Sequence, residues 1–323
     1  MKQSRLLVGV VTILMTVGMC LGQAQQAQPA RGGRGGPGGR GGFPVGPAAP
    51  VPAEVAIPRP SPDELAQINS ALKHFVDTDN SPTEPLLKKY ESLLTIQAPR
   101  PNIAATYTET NVRAPRHDEF VEIARKGDID LLLEGDSITD WWINRAQAGQ
   151  PRTPTAAYTK YFGNIKTADF AVAGDTTQGV LWGLKNGEGQ GFSPKAIMLM
   201  IGTNNLGVNN ITGNSPEEIA EGIGAIILEN RKDFPNAKIL LLAVFPRSTP
   251  DDPVRERIAQ INKIIQKLDD HQHVFYMDIG PKFLGPDGTF LPDTFLPDNL
   301  HPQEKGYDIW GAAVIDTLKG WLK

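Results

Sequence analysis

The 323-residue sequence is poor in the side chains that bind metals or form covalent cross-links. It contains one cysteine and five histidines. The single thiol, Cys20, lies inside an apolar N-terminal run. A chain processed after that run would therefore hold no disulfide and no thiolate metal site. Aromatic residues are also sparse, at 7% of the chain.

The sequence also lacks the excess of positive charge that marks nucleic-acid-binding proteins. Its net charge is −4, and residues 1–50 carry five basic and no acidic side chains, which leaves −9 for the remainder. An acidic folded part argues against a nucleic-acid partner, and we expect none. Hydrophobic residues make up 40% of the chain, which suits a protein able to bury a sizeable core.

The N-terminus has the pattern of an export signal. Two basic residues precede an apolar run at positions 6–21, and small residues follow it, which predicts a secretory signal peptide over residues 1–24. The run is short for a stable membrane span. A lipid anchor on Cys20 is disfavoured because Met19 precedes it, where a small residue is usual. We therefore expect a secreted or periplasmic protein.

Two further segments precede the main domain. Residues 25–60 are dominated by Gly, Pro, Ala and Arg, which predicts a disordered linker. Its Arg-Gly-Gly runs also occur in RNA-binding tails, but here they lack interleaved aromatic residues. Ser61 and Glu64 form a capping-box pattern that opens a helical extension over residues 61–115, in which no residue indicates chemistry. The main domain is predicted over residues 116–323.

In the main domain, apolar runs alternate with amphipathic helical patterns. The predicted strands lie near residues 129–133, 166–172, 196–201, 239–244 and 274–278. The predicted helices lie near residues 117–125, 215–232, 252–268 and 303–322. Strands that are apolar throughout, separated by helices, indicate a parallel α/β sheet covered on both faces. Ligands of such sheets bind beyond the carboxyl ends of the strands.

Polar residues follow the first three predicted strands. Ser137 ends the first in Gly135-Asp136-Ser137, Gly174 follows the second, and Asn204 follows the third. Taken alone, a serine here is more often a helix N-cap, and the glycine and asparagine are ordinary turn residues. Their joint placement favours a site with a hydroxyl nucleophile, a backbone N–H donor and an amide donor.

An acid and a histidine lie three residues apart near the C-terminus. Asp298 and His301 stand between Pro297 and Pro302, which keep the segment out of a helix interior. A general base needs a fixed orientation, and a rigid loop before a helix provides it. The other four histidines lie in the extension, at a helix start or in a polar turn. His301 is therefore the one credible base.

Together these segments resemble the SGNH or GDSL hydrolase family. The resemblance implies that Ser137 is the nucleophile, His301 the base and Asp298 the residue that orients the base. It also implies an oxyanion hole formed by the backbone N–H groups of Ser137 and Gly174 and the side chain of Asn204. No metal and no cofactor are implied.

The family resemblance covers roughly residues 129–312 and implies a three-layer αβα, flavodoxin-like fold with five parallel strands. Residues 174–188 and 201–205 look like those of brain-type platelet-activating-factor acetylhydrolase catalytic subunits and their bacterial relatives. Two residues depart from the family pattern: Ile138 replaces a leucine, and Asn205 replaces an aspartate found in many members. Neither substitution removes a catalytic atom.

The expected activity is that of a serine carboxylic-ester hydrolase acting on a small-molecule or carbohydrate acyl ester. Trp141, Trp182 and Leu206 follow the catalytic segments, and bulky groups there predict a small acyl pocket and an acetylesterase. Lipid acetylhydrolase or lysophospholipase activity is an alternative. A second alternative is a non-catalytic extracellular carbohydrate-binding protein on the same fold.

Overall fold

The computed structural model describes residues 44–143, 154–207 and 213–323, so the predicted signal peptide lies outside the described residues. The chain divides into two compact units. The described part of the smaller unit is residues 56–101, and that of the larger unit is residues 44–55 together with the described residues from 102 onward. Within these ranges no helix is long and apolar enough to cross a membrane.

The smaller unit contains two helices. Helix α1 spans Pro62–Thr78 and begins with the predicted capping box on Ser61. Helix α2 spans Glu84–Lys89. The Asn69 side chain closes the unit by donating to the Ile96 carbonyl at 2.9 Å and accepting from the Ile96 N–H at 2.8 Å. A helix therefore begins where the capping-box pattern predicted one.

The larger unit is built on one five-stranded sheet. Its strands are β1 (Leu131–Gly135), β2 (Thr167–Asp169), β3 (Ala196–Met200), β4 (Lys238–Leu242) and β5 (Val274–Met277). The order across the sheet is β2-β1-β3-β4-β5, and all neighbouring strands are parallel. The predicted α/β architecture is thus confirmed. Individual strands begin or end one to several residues from their predicted limits.

Helices cover both faces of this sheet. They are α3 (Ala114–Lys126), α4 (Ser137–Asp140), α5 (Ala156–Phe162), α6 (Thr177–Gly183), α7 (Pro216–Asp233), α8 (Val254–Ile265) and α9 (Glu304–Trp321). Alternate strand residues point to opposite faces. In β1, Leu132 packs in a cluster with Ile223 of α7, whereas Leu131 and Leu133 pack in a second cluster with Trp310 of α9. The fold is therefore a three-layer αβα sandwich.

Two predicted boundaries at the start of the larger unit are wrong. The linker predicted over residues 25–60 ends earlier, because Ala49 N–H donates to the Ala105 carbonyl at 2.8 Å and Val55 is buried in the core. Residues 25–43 lie outside the described ranges. The predicted extension over residues 61–115 is also too long, since residues from 102 onward belong to the larger unit. The proline-rich composition of residues 44–55 predicts a linker, but these residues pack as part of the fold.

Candidate active site

The carboxyl ends of three neighbouring strands lie level at one edge of the sheet. Gly135, the last residue of β1, is in register with Met200, the last residue of β3. On the other side, the Val172 N–H donates to the Gly135 carbonyl at 3.2 Å. Since the three segments leave the sheet together, the loops that follow them are neighbours. Three of the predicted site residues, Ser137, Gly174 and Asn204, follow these three segments.

Ser137 is the first residue of α4, immediately after β1. Asp136 caps this helix, with Oδ1 accepting from the Ile138 N–H at 3.0 Å. The first N–H groups of a helix have no partner within the helix, so the Ser137 N–H is available to a ligand. Ser137 is 6% exposed, so its side chain is largely enclosed by the protein.

Gly174 and Asn204 are brought together by one backbone contact. The Asn204 side chain donates from Nδ2 to the carbonyl of Asp175, the residue after Gly174, at 2.8 Å. Gly174 has φ of +84°, a left-handed conformation that favours glycine. In the described part of the chain its N–H donates to no other group. The arrangement leaves one Asn204 amide hydrogen and the Gly174 N–H free to donate to an oxyanion.

Ser137, His301 and Asp298 form a continuous hydrogen-bond chain. Ser137 Oγ lies 2.8 Å from His301 Nε2. On the other side of the imidazole, His301 Nδ1 lies 2.7 Å from Asp298 Oδ2. This is the order of contacts that a hydroxyl nucleophile, a base and an orienting carboxylate require.

The loop that carries the acid and the base is held at several backbone positions. Asn299 adopts a left-handed φ of +50°, and its carbonyl accepts from the Ser248 N–H at 2.8 Å. The His301 carbonyl accepts from the Leu296 N–H at 2.8 Å. These bonds fix the imidazole before α9 begins at Glu304. Neighbouring segments therefore hold this loop by backbone hydrogen bonds on both sides of Leu300.

Asp298 is held in its charged form. Partial burial alone would raise its pKa, but hydrogen bonds from the His301 side chain and from the backbone N–H groups of His301 and Leu300 lower the pKa below its ordinary value. An ionised Asp298 favours the His301 tautomer with hydrogen on Nδ1. Nε2 is then left to accept the serine proton.

Of the three residues predicted to form the acyl pocket, one lies at the site. The Trp141 ring stacks on the His301 ring, with centroids 3.9 Å apart and planes 23° from parallel. The Trp182 ring instead lies 4.6 Å from the ring of His117 on α3. Leu206 is fully buried in the hydrophobic core. Periodicity along the chain does not tell which way these side chains face.

Two residues that the sequence interpretation missed also approach the site. Arg247 donates from Nη1 to the Thr203 carbonyl and from Nη2 to the Gly207 carbonyl, both at 3.0 Å, so it holds the turn containing Asn204 at both ends. Its place after β4, at the carboxyl end of a strand, was a usable signal. Val112 lies beside Gly174, 3.5 Å from where a methyl group on that glycine would be.

No group of three or more His, Cys, Asp or Glu side chains is arranged to hold a metal ion within the described residues. The chemistry proposed for this site uses only the hydroxyl, imidazole, carboxylate and N–H groups named above. These groups are sufficient for acyl transfer from an ester to a serine.

Comparison with known proteins identifies the family. The sequence model of the GDSL-like lipase/acylhydrolase family matches residues 134–309, which contain all five predicted catalytic and oxyanion residues. The chain belongs to this family. As a GDSL-like hydrolase, it is a serine ester hydrolase.

Relatives of this GDSL-like hydrolase include subunits named as platelet-activating factor acetylhydrolases. The chicken IB subunit alpha2 is 32% identical over 175 residues, covering 54% of this chain and 69% of the relative. The fruit-fly IB subunit beta homolog is 33% identical over 152 residues, which cover 47% of this chain and 60% of the relative. The crystal structure of a GDSL-like lipase from Bacteroides thetaiotaomicron superposes with a TM-score of 0.51 and 17% identity. The match covers 64% of this chain and 97% of the lipase chain. At that identity the likeness is one of fold.

Proposed function

We propose that this hydrolase cleaves short-acyl carboxylic esters, acetyl esters above all, through an acyl-enzyme on Ser137. The observation that carries the proposal is the 2.8 Å contact between Ser137 Oγ and His301 Nε2, continued from Nδ1 to Asp298. A serine hydroxyl is a weak nucleophile unless a base accepts its proton, and this contact supplies the base.

The proposed reaction has two halves. Ser137 Oγ attacks the ester carbonyl as His301 Nε2 takes the hydroxyl proton, and the Ser137 N–H, the Gly174 N–H and Asn204 Nδ2 donate to the oxyanion. His301 then returns the proton to the departing alcohol. A water molecule, deprotonated by His301, attacks the acyl-enzyme and releases the carboxylic acid with Ser137 restored.

The preference for short acyl groups is supported by two apolar side chains, one beside the predicted base and one beside a predicted oxyanion donor. Trp141 covers one face of His301, and Val112 stands beside Gly174. A small acyl pocket misplaces the carbonyl of a long chain, so discrimination is expected in kcat/KM. The similarity to proteins named as acetylhydrolases supports the same acyl group.

A second candidate is hydrolysis of an acetylated or lyso phospholipid. It is favoured by the relatives, whose names specify platelet-activating factor. Hydrolysis of an acetylated phospholipid would use the same acetyl-sized pocket as the first candidate, and the two substrates differ in the alcohol: a sugar or other polar group in the first, a lipid in the second. Hydrolysis of a lysophospholipid would instead need a pocket for a long acyl chain. The remaining alternative, a non-catalytic carbohydrate-binding protein, is disfavoured by family membership and by the complete hydrogen-bond chain.

The test is a substrate panel, with p-nitrophenol release as the readout for the nitrophenyl esters and release of the carboxylic acid as the readout for the other substrates. p-Nitrophenyl esters with acyl chains from two to about twelve carbons define the acyl preference. Acetylated xylan, an acetylated ether phospholipid and a lysophospholipid define the alcohol. We expect acetyl and propionyl esters to be cut fastest. A kcat/KM that rises with chain length through eight carbons would contradict the short-acyl proposal.

We also propose that the protein is exported. The support is the basic start and apolar run within residues 1–24, together with a single cysteine inside that segment. Expression of the full chain in a bacterial host, followed by N-terminal sequencing of the protein outside the cytoplasm, is the test. A full-length chain that stays in the cytoplasm would contradict the proposal.

A further inference from the structure

A fully buried arginine lies behind the oxyanion loop. Arg113, which precedes α3, is 1% exposed and donates from Nε to Asp175 Oδ2 at 2.7 Å and from Nη2 to the Phe170 carbonyl at 3.0 Å. Its Nη1 bonds to Glu188. One guanidinium thus pairs with two buried carboxylates and also holds the segment that follows β2. An arginine is suited to this because its donors form a rigid fork.

Asp175 connects this arginine to two of the three oxyanion donors. It follows Gly174 directly, and its carbonyl accepts from Asn204 Nδ2. Its carboxylate is held by Arg113 through Oδ2 and by the Thr110 hydroxyl through Oδ1 at 3.0 Å. A shift of the Asp175 backbone would therefore move both the Gly174 N–H and the Asn204 amide.

The residues around Asp175 enclose its contact with Arg113, and this contact occupies the space around the carboxylate. Asp175 is fully buried, and a methyl group on Gly179 of α6 would lie 2.0 Å from Asp175 Oδ1, so the missing side chain makes room for the carboxylate. Burial alone would lower the pKa of Arg113, but the Asp175 and Glu188 carboxylates raise it above its ordinary value. The guanidinium stays charged.

We propose that Arg113 is a positioning residue for the reaction: by fixing Asp175, it places the Gly174 N–H and the Asn204 amide where the oxyanion forms. The inference rests on the proposed function of the site. Arg113 touches no reacting atom, and its effect on rate comes through the geometry of the donors. Oxyanion donors act on the transition state more than on the bound ester. Loss of their alignment should therefore lower kcat and leave KM nearly unchanged.

The test compares the two carboxylates that share the guanidinium. Asp175→Asn removes the negative charge on the side of the oxyanion loop, and Glu188→Gln removes the negative charge on the other side of the guanidinium. Arg113→Lys keeps the charge but loses the fork. With p-nitrophenyl acetate, Asp175→Asn and Arg113→Lys should each lower kcat by about 10- to 100-fold with KM within about threefold, whereas Glu188→Gln should keep kcat within about threefold. Asn204→Ala removes an oxyanion donor and should lower kcat by about 10²- to 10³-fold. This loss is the largest that we expect from misplacing the same donor in the positioning variants.

A second readout separates positioning from stability. A trifluoromethyl ketone, which forms an oxyanion on the serine, should bind more weakly to Asp175→Asn in proportion to the loss in kcat, while inhibition by acetate stays unchanged. Leu318→Ala, in the buried face of α9, serves as a variant of lowered stability with intact donors. Arg113→Ala is avoided because it leaves the buried Asp175 carboxylate without its counter-charge.

The outcomes are decisive. Full kcat in folded Asp175→Asn overturns the proposal, and so does a loss in Glu188→Gln or Leu318→Ala as large as that in Asp175→Asn. If Arg113→Lys does not fold, the comparison of Asp175→Asn with Glu188→Gln decides. An active wild type with an unaffected Asp175→Asn leaves the proposed function standing, whereas a wild type without esterase activity removes both.

Discussion

At the scale of single residues, Trp141 is expected to act in two ways, on the predicted base and on the acyl group. Its ring stacks on His301 at 3.9 Å, and it is one of the bulky groups proposed to limit the acyl pocket. The stacked indole face holds the imidazole ring in the orientation in which Nε2 meets the Ser137 hydroxyl. Removal of the ring should therefore affect both rate and acyl selectivity.

We predict that Trp141→Ala lowers kcat/KM for acetyl esters by about tenfold and lowers the ratio of acetyl to octanoyl cleavage by at least about tenfold. Trp182→Ala is the matched control, because that ring packs against His117 and not against His301. The control should leave the ratio unchanged. Equal ratios in wild type and Trp141→Ala would show that another group limits the acyl chain.

At the scale of elements, a buried acid joins β1 to α7. Glu134 is 2% exposed, and its Oε2 accepts from Asn230 Nδ2 at 2.6 Å. Burial raises the pKa of Glu134 to about 7, with the Asn230 hydrogen bond acting in the opposite direction. Asn230 Oδ1 makes no hydrogen bond within the described residues. An amide at position 134 could donate to it.

The sign of the pH effect follows from the raised pKa. Below pH 4.5, the ordinary value for this group, Glu134 is protonated in both folded and unfolded chains and contributes no pH dependence. As pH rises from there to about 7, the unfolded chain loses this proton first, so the folded state loses stability. We predict that Glu134→Gln raises the free energy of unfolding at pH 8 by up to about 3 kcal/mol, and much less at pH 5.

Denaturant unfolding of wild type and Glu134→Gln at the two pH values measures this difference. Leu133→Ala is a suitable comparison, because Leu133 is also in β1 but has no titratable group. Its replacement should destabilise the protein equally at the two pH values. A Glu134→Gln effect that does not depend on pH would contradict the raised pKa.

Much of this element-scale architecture could be predicted from the sequence, and the reasons are physical. Each strand of a parallel sheet is buried on both faces, so runs such as Leu131–Leu133 identify it. Asp298 and His301 could be recognised because their contact is local, three residues apart. Arg113 could not, because its partners are 62 and 75 residues away and an isolated arginine ordinarily indicates solvent exposure.

At the scale of the whole molecule, residues 44–55 belong to the hydrolase fold. Their backbone pairs with residues 105–107, through Ala49 N–H to the Ala105 carbonyl and Tyr107 N–H to the Pro47 carbonyl. Val55 and Pro52 lie where a side chain on Gly224 of α7 would be. This segment therefore covers part of the core that α7 would otherwise expose.

We predict that Val55→Ala lowers the free energy of unfolding by about 1–2 kcal/mol, because it removes buried methyl groups against α7. The kcat for p-nitrophenyl acetate should not change. Val45→Ala is the control, since Val45 is 58% exposed. Identical unfolding midpoints for the two variants would mean that residues 44–55 behave as a tether in solution.

The central claim of this account is that Ser137 forms the acyl-enzyme, and one measurement tests it most directly. Hydrolysis of p-nitrophenyl acetate is compared between wild type and Ser137→Ala, with circular dichroism and thermal unfolding to confirm that both are folded. Ser137 Oγ hydrogen-bonds to His301 Nε2 and contributes little to the packing of the core, so its removal should leave the fold intact. We predict a loss in kcat of about 10⁴-fold or more. A folded Ser137→Ala protein that retains most of the wild-type rate would contradict the account.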